Sequence, residues 1–460
     1  MDQITLLIAV LGSVLVALLP PALALAAYVG VLVWYPSYLT VQIGTIDLSV
    51  GRIVIGVLLL RCLASRRIRA GFRRNALDVW VLGSLVLGVA MYCLANPTSD
   101  SLENRGGYFV DTAFVYMCFR LVIRDRTTLV SFTKMVTVIV AVLALLGMAE
   151  AVSGQHYFAR FGQYRRWRPD VKMKPGRWGF ARACGPFGHS IMFGLTFAMF
   201  LPLAGILRRD KELWRSLAWV LAGAMILGAL SSMSSGPWVM VVAVLFFMLL
   251  ASRPNWLKPL FWGTLALMAL VSIVSNRPFY HVLFSYANPL GGAGWHRARL
   301  IDAAIDTVGQ WWLAGFGGQD PGWGRYVGMA WTDITNHYLL IAVQSGLVGL
   351  LAFCGMLVVA VRDLLRTVKT ARDPWVVAVA WALFSGLAGL MVVFMSVSLF
   401  GQPVSLFYGF LGITASLIQW QRTLAPVTVR AVRRAGRGGR SKEVVLGWQS
   451  AGESRRARHV

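Results

Sequence analysis

Three stretches carry side chains whose types and spacing suit chemistry. In GMAWTDITNHYLLIAVQSGLVGLLAF (328–353), polar Thr332, Asp333, Thr335, Asn336 and His337 run straight into an apolar helix. GWHRARLIDAAIDTVGQWWLAGFGGQD (294–320) sets His296, Arg297, Arg299, Asp302 and Asp306 ahead of a Trp pair and a glycine turn. The third, 150–187, holds Arg160, Arg165, Arg166, Arg168, Lys172, Lys174, Arg177 and Arg182 against only Glu150 and Asp170. Guanidinium groups suit phosphate oxygens because their planar fork donates two parallel hydrogen bonds. Tyr, Trp and Gly among these arginines suit sugar-ring contact and close backbone approach. The free N–H groups at a helix start also attract anions, so the mouth at 333–337 can share an anionic ligand with the arginines. His337 belongs to the one residue type that titrates near neutrality, and Asp333 can act as base or orient an imidazole. Thr335 cannot be a base at pH 7. Cations at a departing anion, with a base beside a nucleophile, describe a group transfer.

Each stretch also has a plainer use. Asp333 or Thr335 can simply cap the helix. The basic loop can lie against anionic lipid headgroups. Leu300, Ala303, Ala304 and Thr307 share one helix face, with Asp302 and Asp306 stacked four apart on another, which also describes an interfacial helix anchored by Trp311 and Trp312. Both acids lie beside arginines and are expected to pair with them, which sets paired-carboxylate glycosidase chemistry aside. A cap needs only one residue, however, and ionisable groups at a membrane mouth are costly unless used or paired.

The elements that must position these residues are membrane helices. With 57% hydrophobic and 14% charged residues and a mean hydropathy of +0.64, the chain has lipid as its main solvent, and a soluble domain is excluded. Apolar runs suited to the roughly 20 residues of a bilayer span fall at about 44–62, 78–95, 108–123, 129–149, 188–207, 216–232, 237–252, 259–275, 337–361, 375–395 and 402–420. Segment 4–34 is long for one span, short for two and broken by Pro20-Pro21. Counted as one kinked helix it gives about twelve spans; counted as two, thirteen. Short loops rich in Lys and Arg stay cytoplasmic, and 61–75, 124–128, 208–215, 252–258 and 361–373 do so consistently, with both termini inside. The fold class is therefore an all-α polytopic membrane protein. N-terminal spans occupy 1–149, a basic outer loop 150–187, central spans 188–275, a large outer loop with short helices 276–336, and C-terminal spans 337–420. A basic, disordered cytoplasmic tail fills 421–460.

Several classes drop out. Cys62, Cys93, Cys118, Cys184 and Cys354 form neither a disulfide framework nor a metal-ligand spacing, so no metal is expected. No Walker or Rossmann glycine pattern is found, and no cofactor is expected. A formal net charge of +25 would suit nucleic acid, but an outer loop meets none. Lipid-linked phosphate fits instead, with the lipid bilayer as the other partner. Segment 4–34 has no basic region ahead of its apolar core and reads as retained, not as a cleaved signal.

The order RACGPFGHSIMFG, then HRARLIDAAIDTVGQWWLAGFG, then DITNHYLLIAVQSGLVGLLAF resembles the O-antigen ligase and O-antigen polymerase superfamily. Members typically carry an outer-loop arginine four residues before an aromatic or apolar helix start, a PLxGxG turn and a HNxYLxxLxxxGLxGL helix entry. Here Arg297 takes the arginine place, LAGFG the turn and TNHYLLIAVQSGLVGL the entry. The resemblance implies a metal-independent glycosyltransferase of cell-surface polysaccharide biosynthesis, making lipopolysaccharide or exopolysaccharide. Its donor would be an undecaprenyl-diphosphate-linked glycan, its acceptor a sugar or lipid, and its place the outer face of the bacterial inner (cytoplasmic) membrane. Family arginines bind the diphosphate leaving group, and a helix-entry histidine serves as base toward the acceptor hydroxyl. Residue by residue, Arg182 and Arg297 match arginine positions, with Arg299 the alternative if the register slips by two. Asn336, Tyr338 and Leu339 fit the entry. The chain departs at the histidine column, which holds Thr335, with His337 two places later. His337, Asp333 and Arg297 are thus the candidate catalytic residues, and Arg182, Arg299, Thr335 and Asn336 the candidate substrate-binding ones. The competing class is a lipid-linked-oligosaccharide flippase or polysaccharide transporter, which would put charges at mid-membrane on broken helices in repeated halves.

Overall fold

The computed structural model describes residues 1–164, 175–286 and 294–424. The expectations for Arg165, Arg166, Arg168, Asp170, Lys172 and Lys174, and for the tail beyond 424, lie outside these residues. In chain order the elements are α1 (Asp2–Leu18), α2 (Pro21–Trp34), β1 (Thr40–Ile43), β2 (Ile46–Ser49), α3 (Val50–Ala64), α4 (Arg66–Arg69), α5 (Ala76–Ala95), α6 (Ser99–Phe109), α7 (Val115–Val122), α8 (Arg126–Ser153), α9 (Ser190–Leu207) and α10 (Glu212–Ser231). They continue with α11 (Ser235–Leu249), α12 (Leu257–Val274), α13 (Phe279–Tyr286), α14 (Gly294–Asp306), α15 (Val308–Trp311), α16 (His337–Thr370), α17 (Pro374–Phe394) and α18 (Gln402–Leu424). The protein is an all-α membrane protein with one small hairpin. Among the described residues nine helices are long and apolar enough to cross a membrane, and α1 and α2 are shorter apolar helices.

The opening segment is two helices, not one kinked one. Pro20 is extended (φ −51°, ψ 148°) and Pro21 starts α2, because a residue before proline avoids the helical region while proline suits the first helical turn. The helices run back to back. Thr5 Oγ1 meets Tyr35 Oη at 2.8 Å, while Arg61 at the far end of α3 donates to the Val16 and Leu19 carbonyls beside the proline turn. The N terminus therefore lies on the face opposite Arg61, not on the side of 61–75 that a single kinked helix would give it. The span expected at 44–62 also starts later. TVQIGTIDLS alternates polar and apolar residues, the period of a half-buried strand, and β1 pairs antiparallel with β2, Thr40 opposite Ser49. Ser49 then caps α3, accepting from the Arg52 N–H at 3.4 Å.

The basic connections meet on one face. Arg124 donates to the Arg67 and Ile68 carbonyls, Gln419 to the Gly71 carbonyl, and Lys134 pairs with Asp210 at 2.6 Å. The opposite face carries the β-hairpin, 150–164, 175–189, 232–234, the large loop and the connection between α17 and α18.

Within α16 the helix is interrupted at Ser345 (φ −144°, ψ 16°) and Gly346 (φ 67°, ψ −169°). The loop before α16 fills the gap: Phe316 N–H donates to the Val343 carbonyl at 2.6 Å and Leu347 N–H to the Trp312 carbonyl at 2.7 Å. Only glycine permits this approach. A Cβ on Gly346 would run into the Leu313 carbonyl, and one on Gly315 would come within 2.5 Å of the Val343 oxygen. The LAGFG turn and the QSG stretch of α16 are thus two halves of one joint. A small core of Leu300, Ala303, Ala304, Trp311, Trp323, Val327, Ala342 and Val343 seats the loop on the outer turns of α16.

Candidate outer-face anion site

The helical face read in 300–307 forms: Leu300, Ala303, Ala304 and Thr307 are buried. That orientation turns Arg297 toward the α17–α18 connection, where its Nε donates to the Ser396 carbonyl at 3.2 Å. Its two terminal nitrogens have no hydrogen-bond partner among the described residues, and burial pushes its pKa down. Arg299, about 200° further round the helix, is exposed. Asp302 does not pair with the neighbouring arginines. It accepts from Tyr280 Oη at 2.8 Å and lies 3.0 Å from His281 Nε2, and burial together with this carboxylate pushes the Tyr280 phenol up to about 12. The reason is geometric, since α14 packs this face against α13.

His296 is buried beside Arg297, and its Nε2 has no partner. Burial lowers its pKa most, Asp333 pulls it back up, and Arg297 lowers it again, so the three share one electrostatic neighbourhood. Asp333 itself is exposed. Two residues on, Thr335 Oγ1 is buried without a partner. The cap of α16 is neither of these but Asn336, whose Oδ1 accepts from Leu339 N–H at 3.0 Å.

His337 is the first helical residue and points into the protein. Its ring sits between Phe353 and Phe394, with centroids at 5.4 and 4.8 Å, and its Nδ1 accepts the Leu399 N–H at 3.2 Å. A neutral imidazole has one acceptor nitrogen. With Nδ1 taken, no lone pair is left to receive a proton, and the ring acts as a strut to residue 399. The geometry therefore argues against His337 as the base.

Arg182 comes from the other loop. Its segment runs along two helix ends, with Ala181 N–H donating to the Ala151 carbonyl at 3.0 Å and Ala183 N–H to the Ser231 carbonyl at 3.1 Å. Arg182 is only 8% exposed. It donates from Nη2 to Ser234 Oγ at 2.8 Å, its buried Nε has no partner, and burial, then Arg177, lower its pKa.

Two features escaped sequence reading. Glu150 is fully buried and clamps the segment after Arg182: its carboxylate accepts from Cys184, Gly185 and Tyr157 N–H at 2.9, 2.8 and 3.1 Å. Its signal was a lone acid at the end of a span in basic surroundings. The other is the connection 396–402. Ser396 anchors Arg297. Val397 packs against Gly236, two residues from the serine that holds Arg182. Ser398 Oγ donates to the Ile334 carbonyl at 2.7 Å, Leu399 reaches His337, and Phe400 meets His189 with ring centroids 5.9 Å apart. One short connection thus joins both arginine segments and the helix mouth.

No protein-family model matches the chain, and no curated protein matches it. What the site can do rests on its own chemistry. It offers two desolvated guanidinium groups held by neutral anchors, an exposed carboxylate, and unpartnered buried atoms on His296 and Thr335.

Proposed function

We propose that the protein is a glycosyltransferase that transfers or polymerises a glycan from an undecaprenyl-diphosphate-linked donor onto a sugar or lipid acceptor, at the outer face of a bacterial inner membrane. The observation that carries this reading is the pair Arg182 and Arg297. Each is desolvated, each is held by an uncharged oxygen, and neither has a carboxylate partner among the described residues. A buried cation is costly unless an anion answers it, and a diphosphate supplies that anion. As the bond from the anomeric carbon to the diphosphate oxygen breaks, the electron pair leaves with the lipid diphosphate, and the two guanidinium groups stabilise the growing charge. The acceptor hydroxyl forms the new bond to that carbon, and Asp333 takes its proton. His337 and Asn336 shape the mouth, Thr335 offers a hydroxyl to the ligand, and Arg299 stands at the rim.

The break in α16 favours a transporter, because transporters bind substrate at interrupted helices. Two of its freed backbone groups are already taken by residues 312 and 316, which supports a fixed joint over a moving gate. Purified full-length protein in nanodiscs, given a lipid-diphosphate-linked glycan, is expected to release free lipid diphosphate. Glycan crossing the bilayer with no such release would replace transfer with transport. In a deletion strain, unpolymerised single repeats indicate a polymerase, and intact unattached polymer indicates a ligase.

A further inference from the structure

A cavity of about 320 Å³ lies between the N-terminal elements and α18, on the same side as the β-hairpin. Polar residues among its lining include Ser37, Tyr38, Gln402 and Ser405, beside the apolar surface of Leu32 and the tyrosine rings. At its wall Arg52 and Asp111 form a two-pronged ion pair, Nε to Oδ1 at 3.1 Å and Nη2 to Oδ2 at 2.8 Å. Arg52 also donates to the Asp47 carbonyl at 3.0 Å. The pair is not sealed in the core: the side chains are 26% and 31% exposed and line the cavity. Local structure is shaped around it. Asp111 lies in a π-helical turn (Val110–Phe114) between α6 and α7, the kind of widened turn often found at functional sites. Gly107 leaves room for the guanidinium, since a Cβ there would come within 2.8 Å of it.

We propose that this cavity binds one neutral sugar ring of the transferred glycan or of its acceptor. Charge argues for a neutral ligand. Arg52 and Asp111 cancel one another and Asp47 adds a further carboxylate to the lining, so the cavity disfavours an anion and the described residues give it no free cation of the kind that Arg182 and Arg297 supply for a diphosphate. A carboxylate, a guanidinium, hydroxyls and an amide side by side match the mixed donors and acceptors of a polyol, and tyrosine faces suit a sugar ring. The volume is at the small end of ligand pockets, about 300–1,000 Å³, which fits a single ring. Position links it to the arginines. Gln402 lines the cavity, and Ser396, six residues earlier, anchors Arg297, so the Cα atoms of these two residues are at most about 20 Å apart even for a fully extended chain. The place of this ring in transfer rests on the function proposed above; its binding does not.

The test uses purified full-length protein in nanodiscs and a panel of neutral methyl glycosides of hexoses and N-acetylhexosamines, with saturation-transfer NMR as the readout. At least one glycoside is expected to give a transfer signal. That signal should fall about tenfold in Gln402→Leu, and equally when Ser405→Cys is folded first and then blocked with a small thiol reagent. Wild-type protein given the same reagent should retain it, and so should Arg297→Ala. In transfer assays the blocked protein shows a raised KM for the acceptor if the ring is the acceptor's, and for the lipid-linked donor if it is the donor's. No signal from any glycoside, or a signal unchanged by both the leucine and the blocked cysteine, overturns the proposal. A glycoside signal that disappears on blocking, in a protein that never releases lipid diphosphate, upholds the cavity and overturns only the transfer reading.

Discussion

Arg120 and Arg182 are both buried arginines, and their surroundings are opposite. On the basic face, Arg120 donates to both oxygens of Asp78 at 2.8 and 3.2 Å, to the Arg73 carbonyl at 2.8 Å and to Gln419 at 2.7 Å. Asp78 in turn accepts from Tyr116 Oη at 2.6 Å and from Asn75 N–H at 2.7 Å. Charge and hydrogen-bonding capacity are met within the chain. On the opposite face, Arg182 has one serine hydroxyl and Arg297 one carbonyl. The difference separates two uses of the same residue. An arginine whose charge is answered by the fold holds helices together, and one left unanswered is, on the proposed function, the one that meets an anion from outside.

The largest effect expected from breaking this contrast is on stability. Asp78→Asn leaves Arg120 as an uncompensated buried charge and should cost about 3–5 kcal/mol, read as a fall in denaturation midpoint in detergent. Arg182→Gln and Arg297→Gln should change that midpoint little or raise it, because each removes an unanswered cation. A loss in Arg182→Gln as large as in Asp78→Asn would show that both arginines are structural.

Next is rate. Arg297→Lys keeps the charge but loses the fork, so turnover should drop on the order of 10²–10³-fold at matched protein level. Arg299→Lys, exposed and away from the anchor, should lose far less. Equal losses at the two positions would mean that the inward turn of Arg297 does not single it out for the ligand.

The helix mouth gives a split of stability from activity. His337→Ala leaves the Leu399 N–H without its acceptor and should cost about 1–3 kcal/mol in stability, with residual turnover once protein levels are matched. Asp333→Asn should fold normally and be close to inactive. A fully active Asp333→Asn protein would return the base role to another group.

The smallest effect needs no mutation. Inorganic pyrophosphate at ten times its Kd should stabilise the wild-type protein by about 1.4 kcal/mol, seen as an upward shift in melting temperature. The shift should vanish in the double variant of Arg182→Gln and Arg297→Gln and persist in a variant of Arg120 that still folds. A shift that survives the double variant would locate anion binding elsewhere.

Much of this was legible in the sequence, because it depends on local preferences. Apolar runs of spanning length, the gathering of Lys and Arg on one face, and the face of 300–307 that turns Arg297 inward all follow from solvent and helical period alone. The N-terminal hairpin was only half legible: Pro20-Pro21 marked the break, but its direction depended on Thr5 finding Tyr35 and on Arg61 reaching the Val16 and Leu19 carbonyls. Tertiary structure alone decided the rest. Whether His337 points to solvent or into the Phe353–Phe394 cage depends on α17, whether Asp302 meets an arginine or Tyr280 depends on α13, and the union of Arg182, Arg297 and the helix mouth depends on 396–402. These pairings join residues far apart in the chain. A side chain's charge and reach are written in its type, but whether that charge is answered depends on which distant neighbour the packed helices bring beside it.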